Sequence, residues 1–370
     1  MSKWFKRINW TNTLFLLLTP ILGIGGVIYL AVGHQLELAT VLLALGWLAA
    51  TGLTITAGYH RLFAHNTYRA RRIVKILFLL FGAAAFQGSV LEWCTDHRNH
   101  HRYPETEKDP YNIEKGFWYA HIGWLIFLDP AQREFSNVED LAADPWIRWQ
   151  HRYFNRLAVL CGFIVPALIA ACWGDWLGGL LLAGVLRTVI NHHFTFSINS
   201  VCHSFGHRMY SLQQTARDHW MTALFTYGEG FHNFHHQFPL DYRNGIRFYD
   251  FDPTKWLIWT LNRLKLTGDL KRISIVHLTR YRLRTDEQAL LTKFKQGSEA
   301  LLHSIHEYLT PVRTQILQVI ARIEAIEKSG KIKEYRDQLK VARSELKYSL
   351  LLWSRMTKAK FLIPSPDKVL

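Results

Sequence analysis

Apolar residues gather into long unbroken runs in the first two hundred positions of this chain and into periodic stripes near its end. A helix needs roughly 20 apolar residues to cross a bilayer. Residues 14–32 and 36–57 reach that length, separated only by 33–35, and 157–173 and 177–197 do so again, joined by 174–176. Each pair predicts a helical hairpin that crosses and returns. A fifth run, 73–90, holds Lys75 and Gln87 among small residues and predicts an interfacial or half-inserted helix. From Asp286 onward the pattern becomes amphipathic. Ile316, Ile320 and Ile323 recur at helical spacing, Ser329-Gly330 interrupts, and Tyr335, Leu339, Ala342 and Leu346 resume it. The expected organisation is a membrane domain with a cytosolic cap over 1–284 and an amphipathic helical hairpin over 285–370. Its arms are 286–328 and 331–356, with Pro311 as a kink or an earlier boundary. The expected fold is all-α and integral to the membrane: four transmembrane helices in two hairpins, an interfacial helix, and a helical cap.

Charge orients these spans. Lys3, Lys6 and Arg7 precede the first; Arg61, Arg69, Arg71 and Arg72 follow the second; neither hairpin tip carries Lys or Arg. The positive-inside rule then places both termini and both large loops in the cytoplasm. The alternative is a cleaved signal peptide, with Ala31-Val32-Gly33 as a faint cleavage site, and it predicts a mature chain starting near His34. The formal net charge of +15 favours anionic partners, namely phospholipid headgroups, phosphorylated cofactors or an acidic electron carrier. No nucleic-acid recognition motif accompanies it, so nucleic acid is not an expected partner. Cys94, Cys161, Cys172 and Cys202 form no C-x-x-C pair, which argues against a thiolate metal site or a disulfide framework.

Histidine is the anomaly: the chain has nineteen. Four clusters fall on the expected cytoplasmic side. HRLFAH gives His60 and His65; HRNHH gives His97, His100 and His101; NSVCH gives His203, with Asn199 four residues before it; HNFHH gives His232, His235 and His236. On a helix, residues four apart share a face and adjacent ones diverge by about 100°. His97 therefore pairs with His101 and His232 with His236, while His100 and His235 point elsewhere. Two such segments facing each other suit two metals, each pair holding one ion and each middle histidine reaching to the other. Neutral imidazole suits iron, zinc, copper and nickel alike. With no carboxylate or thiolate in the motifs, the ions' charge stays poorly neutralised, which favours an oxidising centre. His34, His121, His151, His277, His303 and His306 are read as ordinary interfacial or core residues, and His192 and His193 as non-ligating neighbours.

Taken with their surroundings, these boxes resemble the membrane fatty-acid desaturases, in particular the stearoyl-CoA Δ9 type in a bacterial form. The likeness runs over residues 36–259, through TAGYHRLFAH, EWCTDHRNHHRYPETEKDPY, INSVCH, TYGEGFHNFHHQFPLDYRNG and YDFDPTKW. Three histidine boxes alone also fit alkane hydroxylases and sterol oxidases; the N-S-x-x-H box and Gly228-Glu229-Gly230 narrow the resemblance to acyl desaturases. It implies two irons, one held by His60, His65, His97, His101 and His235, the other by His100, His203, His232 and His236, with Asn199 reaching the second through a water. It implies O2 as co-substrate, a long-chain acyl-CoA or acyl-lipid substrate, and a narrow bent tunnel that Ala49, Ala50 and Gly52 would shape. A bacterial inner membrane, with the metal site on the cytoplasmic side, is the implied location.

The sequence departs from the animal acyl-CoA enzymes at the headgroup. The arginine expected two residues before the second box is Thr95, and the basic pair after the next helix falls near Leu128 and Asp129. Phosphates of CoA would need Arg98, Arg102 or the basic stretch 255–284, so a phospholipid-linked chain stays open as the carrier. Neither a His-Pro-Gly-Gly haem motif nor a strand-borne G-x-G-x-x-G is present. Electrons are therefore expected from a separate ferredoxin- or cytochrome-type reductase drawn to the basic cytoplasmic face. The 285–370 hairpin, unmatched in the animal enzymes, is expected to serve as an oligomer contact or a stabilising cover. A same-fold hydroxylase and a non-catalytic metal sensor are the competing readings.

Overall fold

The structure is a computed structural model that describes residues 8–33, 36–127, 133–293 and 299–358. It is mostly helical, and the strands among the described residues are the two-residue pieces Arg69–Ala70 and Thr267–Gly268, which pair antiparallel. The chain divides into two compact units. One runs up to His207 and resumes over Gln214–Arg272; the other joins Arg208–Gln213 to the chain from Ile273 onward.

Three helices of the first unit are long and apolar enough to cross a membrane: Trp10–Val32, Leu38–Ala64 and Phe154–Ala171. Trp10–Val32 begins where the Asn9 side chain accepts the N–H of Asn12 at 3.0 Å. Leu17, Ile21, Leu22, Ile24 and Ile28 all face outward from it, a surface suited to lipid rather than water. Leu38–Ala64 is about 40 Å long at 1.5 Å per residue, more than a bilayer core of about 30 Å requires. Its last part, Thr54–Ala64, is wound as a π-helix and is buried throughout.

The fourth expected span, 177–197, lies within an unbroken helical stretch over 176–204. It does not join the three because Arg187, Asn191, His192 and His193 dilute its apolar run. Arg187 is buried and donates to three carbonyls: Ala183 (3.1 Å), Ala84 (2.8 Å) and Gly162 (2.9 Å). Close packing holds these helices together. A Cβ on Gly23 would meet the Leu186 backbone at 3.0 Å, and Trp47 donates to the Cys161 carbonyl at 3.1 Å.

The expected 73–90 helix is shorter than the apolar run. It spans Arg72–Ala83, and Val90 opens the next helix, Val90–Arg102. Two features impose the break: Phe86 and Gly88 take left-handed backbone angles, and Ser89 forms a capping box with Glu92. Arg61, counted on sequence among the topogenic surface charges, is instead 1% exposed. It is drawn inside by Glu229 and Asp252.

The second unit packs three helices, Ile275–Lys293, Glu299–Lys328 and Arg336–Lys358, where a two-helix hairpin was expected. Val276 and Leu283 of the first helix join a core of Leu309, Ile316, Ile320, Ile323, Leu339, Leu346 and Trp353, so the apolar stripe has two partners rather than one. Glu299–Lys328 runs through Pro311 without ending there.

Candidate metal centre

Four segments of the first unit bring nine imidazoles together in two groups, His60, His65, His97, His101 and His235 in one, His100, His203, His232 and His236 in the other. Within each group the nearest ring nitrogens all lie within 4.8 Å of one another. The local backbone explains how. In an α-helix, positions five apart point about 140° away from each other. The π-helical end of the second span closes a five-residue turn instead, with His65 N–H donating to the His60 carbonyl at 3.1 Å. This stacks His65 near His60, ring centroids 4.9 Å apart. His97 and His101 share one face of Val90–Arg102, and His232 and His236 one face of His232–Gln237, while the middle residues exchange. His235 Nε2 sits 2.9 Å from both His60 Nε2 and His101 Nε2, and His100 Nε2 sits 3.1 Å from His236 Nε2. His203 Nε2 lies 3.1 Å from that of His232, and His232 3.0 Å from His236.

The outer nitrogens settle which tautomers are present. His60 Nδ1 donates to Glu229 Oε2 at 2.8 Å and His100 Nδ1 to Asp109 Oδ1 at 2.9 Å. His236 Nδ1 donates to the Gln214 amide oxygen at 2.9 Å. The Thr215 hydroxyl gives its proton to Glu105 at 2.6 Å, so it accepts from His203 Nδ1 at 2.8 Å. Each of these rings has its proton on the outside and a bare Nε2 lone pair turned inward. Lone pairs converging at about 3 Å repel unless a cation lies among them. A metal–nitrogen bond of about 2.1 Å with ligands at right angles sets neighbouring nitrogens about 3.0 Å apart. The donor set therefore fits a metal in each group. Burial and the neighbouring rings hold His97, His101, His232, His235 and His236 well below the usual imidazole pKa, and His203 is lowered to about 3. Neutral imidazole is the form that binds metal.

Carboxylates that the histidine spacing did not reveal support the rings. Burial alone would raise the Glu229 carboxyl; His60 and Arg61 reverse that and hold it below the ordinary value. Arg61 donates to Glu229 (2.9 Å), to Asp252 (3.1 Å) and to the Tyr242 carbonyl (2.8 Å). Asp109 stays low against burial for the same reason, through His100 and the backbone N–H groups of Glu105 and Tyr111. Both acids lay inside motifs that the sequence had already singled out. Only the three-dimensional path showed which histidine each one meets.

A cavity of about 340 Å³ opens onto the first group through His60 and His97 and onto the second through His232. Gly52 and Asn199 line it; Ala49 and Ala50 are not among its walls. The expected headgroup residues fall elsewhere. Thr95 is fully buried, and Arg98 is tied to Asp140 (2.6 Å) and to the carbonyls of Ala64, Phe63 and Asn137, so neither is free for a phosphate. Lys255 is buried too, donating to the carbonyls of Gly245 and Asp250. Arg102 remains exposed, while Leu128 and Asp129 lie outside the described residues. His192 bonds the carbonyls of Ala85 and Phe86, and His193 pairs with His121 at 3.1 Å, both away from the two groups. His151 meets Ser89, His277 meets Ser274, and His303 and His306 face Glu307 and Glu287; His34 lies outside the described residues.

The sequence pattern described as fatty acid desaturase matches residues 38–263. A probable acyl-CoA desaturase of Schizosaccharomyces pombe is 44% identical over 272 residues, 73% of this chain and 56% of that protein. Acyl-CoA desaturase 1 of Saccharomyces cerevisiae is 38% identical over 74% of this chain and 54% of its own length. The chain thus spans about half the length of these two fungal relatives. Stearoyl-CoA desaturase 5 of Homo sapiens is 36% identical over 77% of this chain and 87% of its own length.

Proposed function

This chain belongs to the fatty acid desaturase family, and on that premise we propose that it installs a cis double bond, at the Δ9 position, in a long-chain saturated acyl-CoA. The overall change is the loss of two hydrogens from adjacent methylenes, with O2 taking those two, two further protons and two electrons to become two waters. The observation that carries the reading is the set of inward Nε2 lone pairs whose outer nitrogens are pinned by Glu229, Asp109, Thr215 and Gln214.

In this reading two irons supply the O2-derived oxidant needed to take hydrogen from an unactivated carbon. His60, His65, His97, His101 and His235 would hold one, and His100, His203, His232 and His236 the other, with Asn199 reaching the second through a water. The protein's own share is placement. A methylene far from any functional group offers no handle for an acid or base, so the cavity wall must fix which carbon meets the metals. Thr56, Gly52, Trp93 and Phe196 line the same cavity as His60 and His97, with Trp93 packed against both rings. Four spans, with 177–197 as the fourth, would put the metal cap and both termini on the cytoplasmic side of a bacterial inner membrane. A separate ferredoxin- or cytochrome-type reductase would deliver the electrons.

A phospholipid-linked chain is the second reading. It is favoured by the engagement of Arg98 and Lys255 in the fold, which leaves fewer cations for CoA phosphates. The deciding experiment supplies the purified, iron-loaded protein with a reductase, O2 and either stearoyl-CoA or stearoyl phospholipid, then identifies products by gas chromatography. An alkene from the CoA substrate supports the first reading. An alkene from the lipid alone supports the second, and an alcohol would replace both with a hydroxylase.

A further inference from the structure

Most polar groups around the cavity already have partners. Gln87 donates to Thr195 at 2.8 Å, Asn12 to the Leu125 carbonyl at 3.0 Å, His192 to backbone carbonyls, and Arg133 pairs with Asp96 at 2.6 Å. The indole N–H of Trp124 is different. Trp124 is a cavity-wall residue, its Nε1 is buried, and among the described residues that nitrogen has no acceptor. A buried tryptophan N–H ordinarily finds one, because leaving it unmade forfeits its bond to water.

The ring is also held in place. Tyr111 packs edge-on against it with centroids 5.0 Å apart, and Tyr111 in turn lies 4.7 Å from His100. The backbone on its C-terminal side is tethered to the start of the first span: Leu125 accepts from the Asn12 side chain and Ile126 from the Asn9 N–H at 2.7 Å. Trp124 therefore marks the cap end of the cavity. Of the wall's other donors without a partner among the described residues, His232 Nδ1 belongs to a ring of the second histidine group, and Asn191 lies on the helix Arg187–Ser204 about 18 Å from His203 at 1.5 Å per residue, toward the membrane end.

We propose that the Trp124 indole N–H binds the carbonyl oxygen of the acyl substrate and so sets the distance from the head of the chain to the metals. This rests on the acyl-desaturase reading. A saturated acyl chain carries one strong acceptor, the carbonyl at its head, and everything beyond it is hydrocarbon. A fixed donor at the cap end is what is needed to count carbons from that oxygen. The same chemistry is offered by a thioester and by a lipid ester, and the test separates them.

Equilibrium binding to the full-length, metal-loaded protein is measured for stearoyl-CoA and for S-octadecyl-CoA, a thioether without the carbonyl. A parallel pair is a diacyl phosphatidylcholine and its dialkyl ether. The wild type should bind the carbonyl member of one pair about tenfold more tightly. The pair that discriminates names the carrier. Trp124→Phe should lose that tenfold while binding the carbonyl-free ligand within about twofold of wild type, with metal content unchanged. Equal affinities in both pairs, equal losses for both members, or no binding of any of the four would overturn the proposal. Should the variant not fold, the wild-type comparison alone decides. Binding needs no turnover, so a wild type that prefers the carbonyl but makes no alkene refutes the desaturase reading alone. A wild type that makes alkene without that preference refutes the role of Trp124 alone.

Discussion

His60 and Glu229 share a buried contact of 2.8 Å, in which Nδ1 of the ring meets one oxygen of the carboxylate while Arg61, the next residue along, holds the other at 2.9 Å. One acid thus orients a metal-facing ring and neutralises a buried guanidinium. Replacing Glu229 with Gln keeps the shape and removes the charge. Second-sphere changes of this kind typically cost about 10–100-fold in metal affinity or activity. We expect Glu229→Gln to fall in that range, read by iron analysis and product yield, with Asp252 still holding Arg61 in the fold.

His235 touches both His60 and His101 at 2.9 Å, so its loss should empty the first group rather than thin it. His235→Ala is expected to lose about half of the bound metal and essentially all desaturation. His277→Ala serves as the control, since that ring faces Ser274 and lies outside both groups. Metal analysis that showed equal losses in the two variants would rule out the assignment.

Gly52 lies where a Cβ would stand 2.1 Å from the Tyr227 ring, and Tyr227 in turn donates to the Leu48 carbonyl at 3.1 Å. Gly52→Ala must push that ring aside and reshape the cavity wall. The expected outcome is a shift in the chain length of the preferred substrate, measured from the product profile of a mixed acyl supply, at a stability cost of about 1–3 kcal/mol.

Asp218 is buried with its carboxylate accepting the Phe234 N–H at 3.1 Å, and burial raises its pKa to about 7. A carboxyl raised above its unfolded value near 3.9 favours the folded state when protonated. That contribution is complete below about pH 4 and is lost as pH climbs to about 7. Asp218→Asn should therefore gain thermal stability relative to wild type at pH 8 and show less advantage, or none, at pH 5. Melting curves of both proteins at the two pH values check the sign.

The sequence made the histidine clusters legible because four-residue spacing is a local property: His97 with His101 and His232 with His236 need only a helix. His60 with His65 is harder, since five-residue spacing puts two rings on one face only after the backbone adopts a π turn, and nothing in HRLFAH announces one. The supporting acids were harder still. Glu229 reaches His60 and Arg61, the latter across a sequence separation of 168, and such a contact is fixed by topology, not by pattern. The same limit applies to the headgroup residues. Arg98 reads as a free cation in the sequence, and becomes a structural tie only when Asp140 and three carbonyls surround it. Spans were legible from apolar length, except where buried polar residues such as Arg187 satisfy themselves on carbonyls and lower the hydropathy of a helix that still packs among the others.

The cap is fastened to the second span at three heights: the Tyr227 hydroxyl on Leu48, Thr254 on Thr56 at 2.7 Å, and Asp252 on Arg61. Ligands and anchor consequently move as a single block. A thinner or more fluid bilayer that tilts the first or third span would alter the bore of the channel before it disturbed the spacing of the imidazoles, so lipid composition should tune which chains are accepted more readily than whether the centre stays assembled.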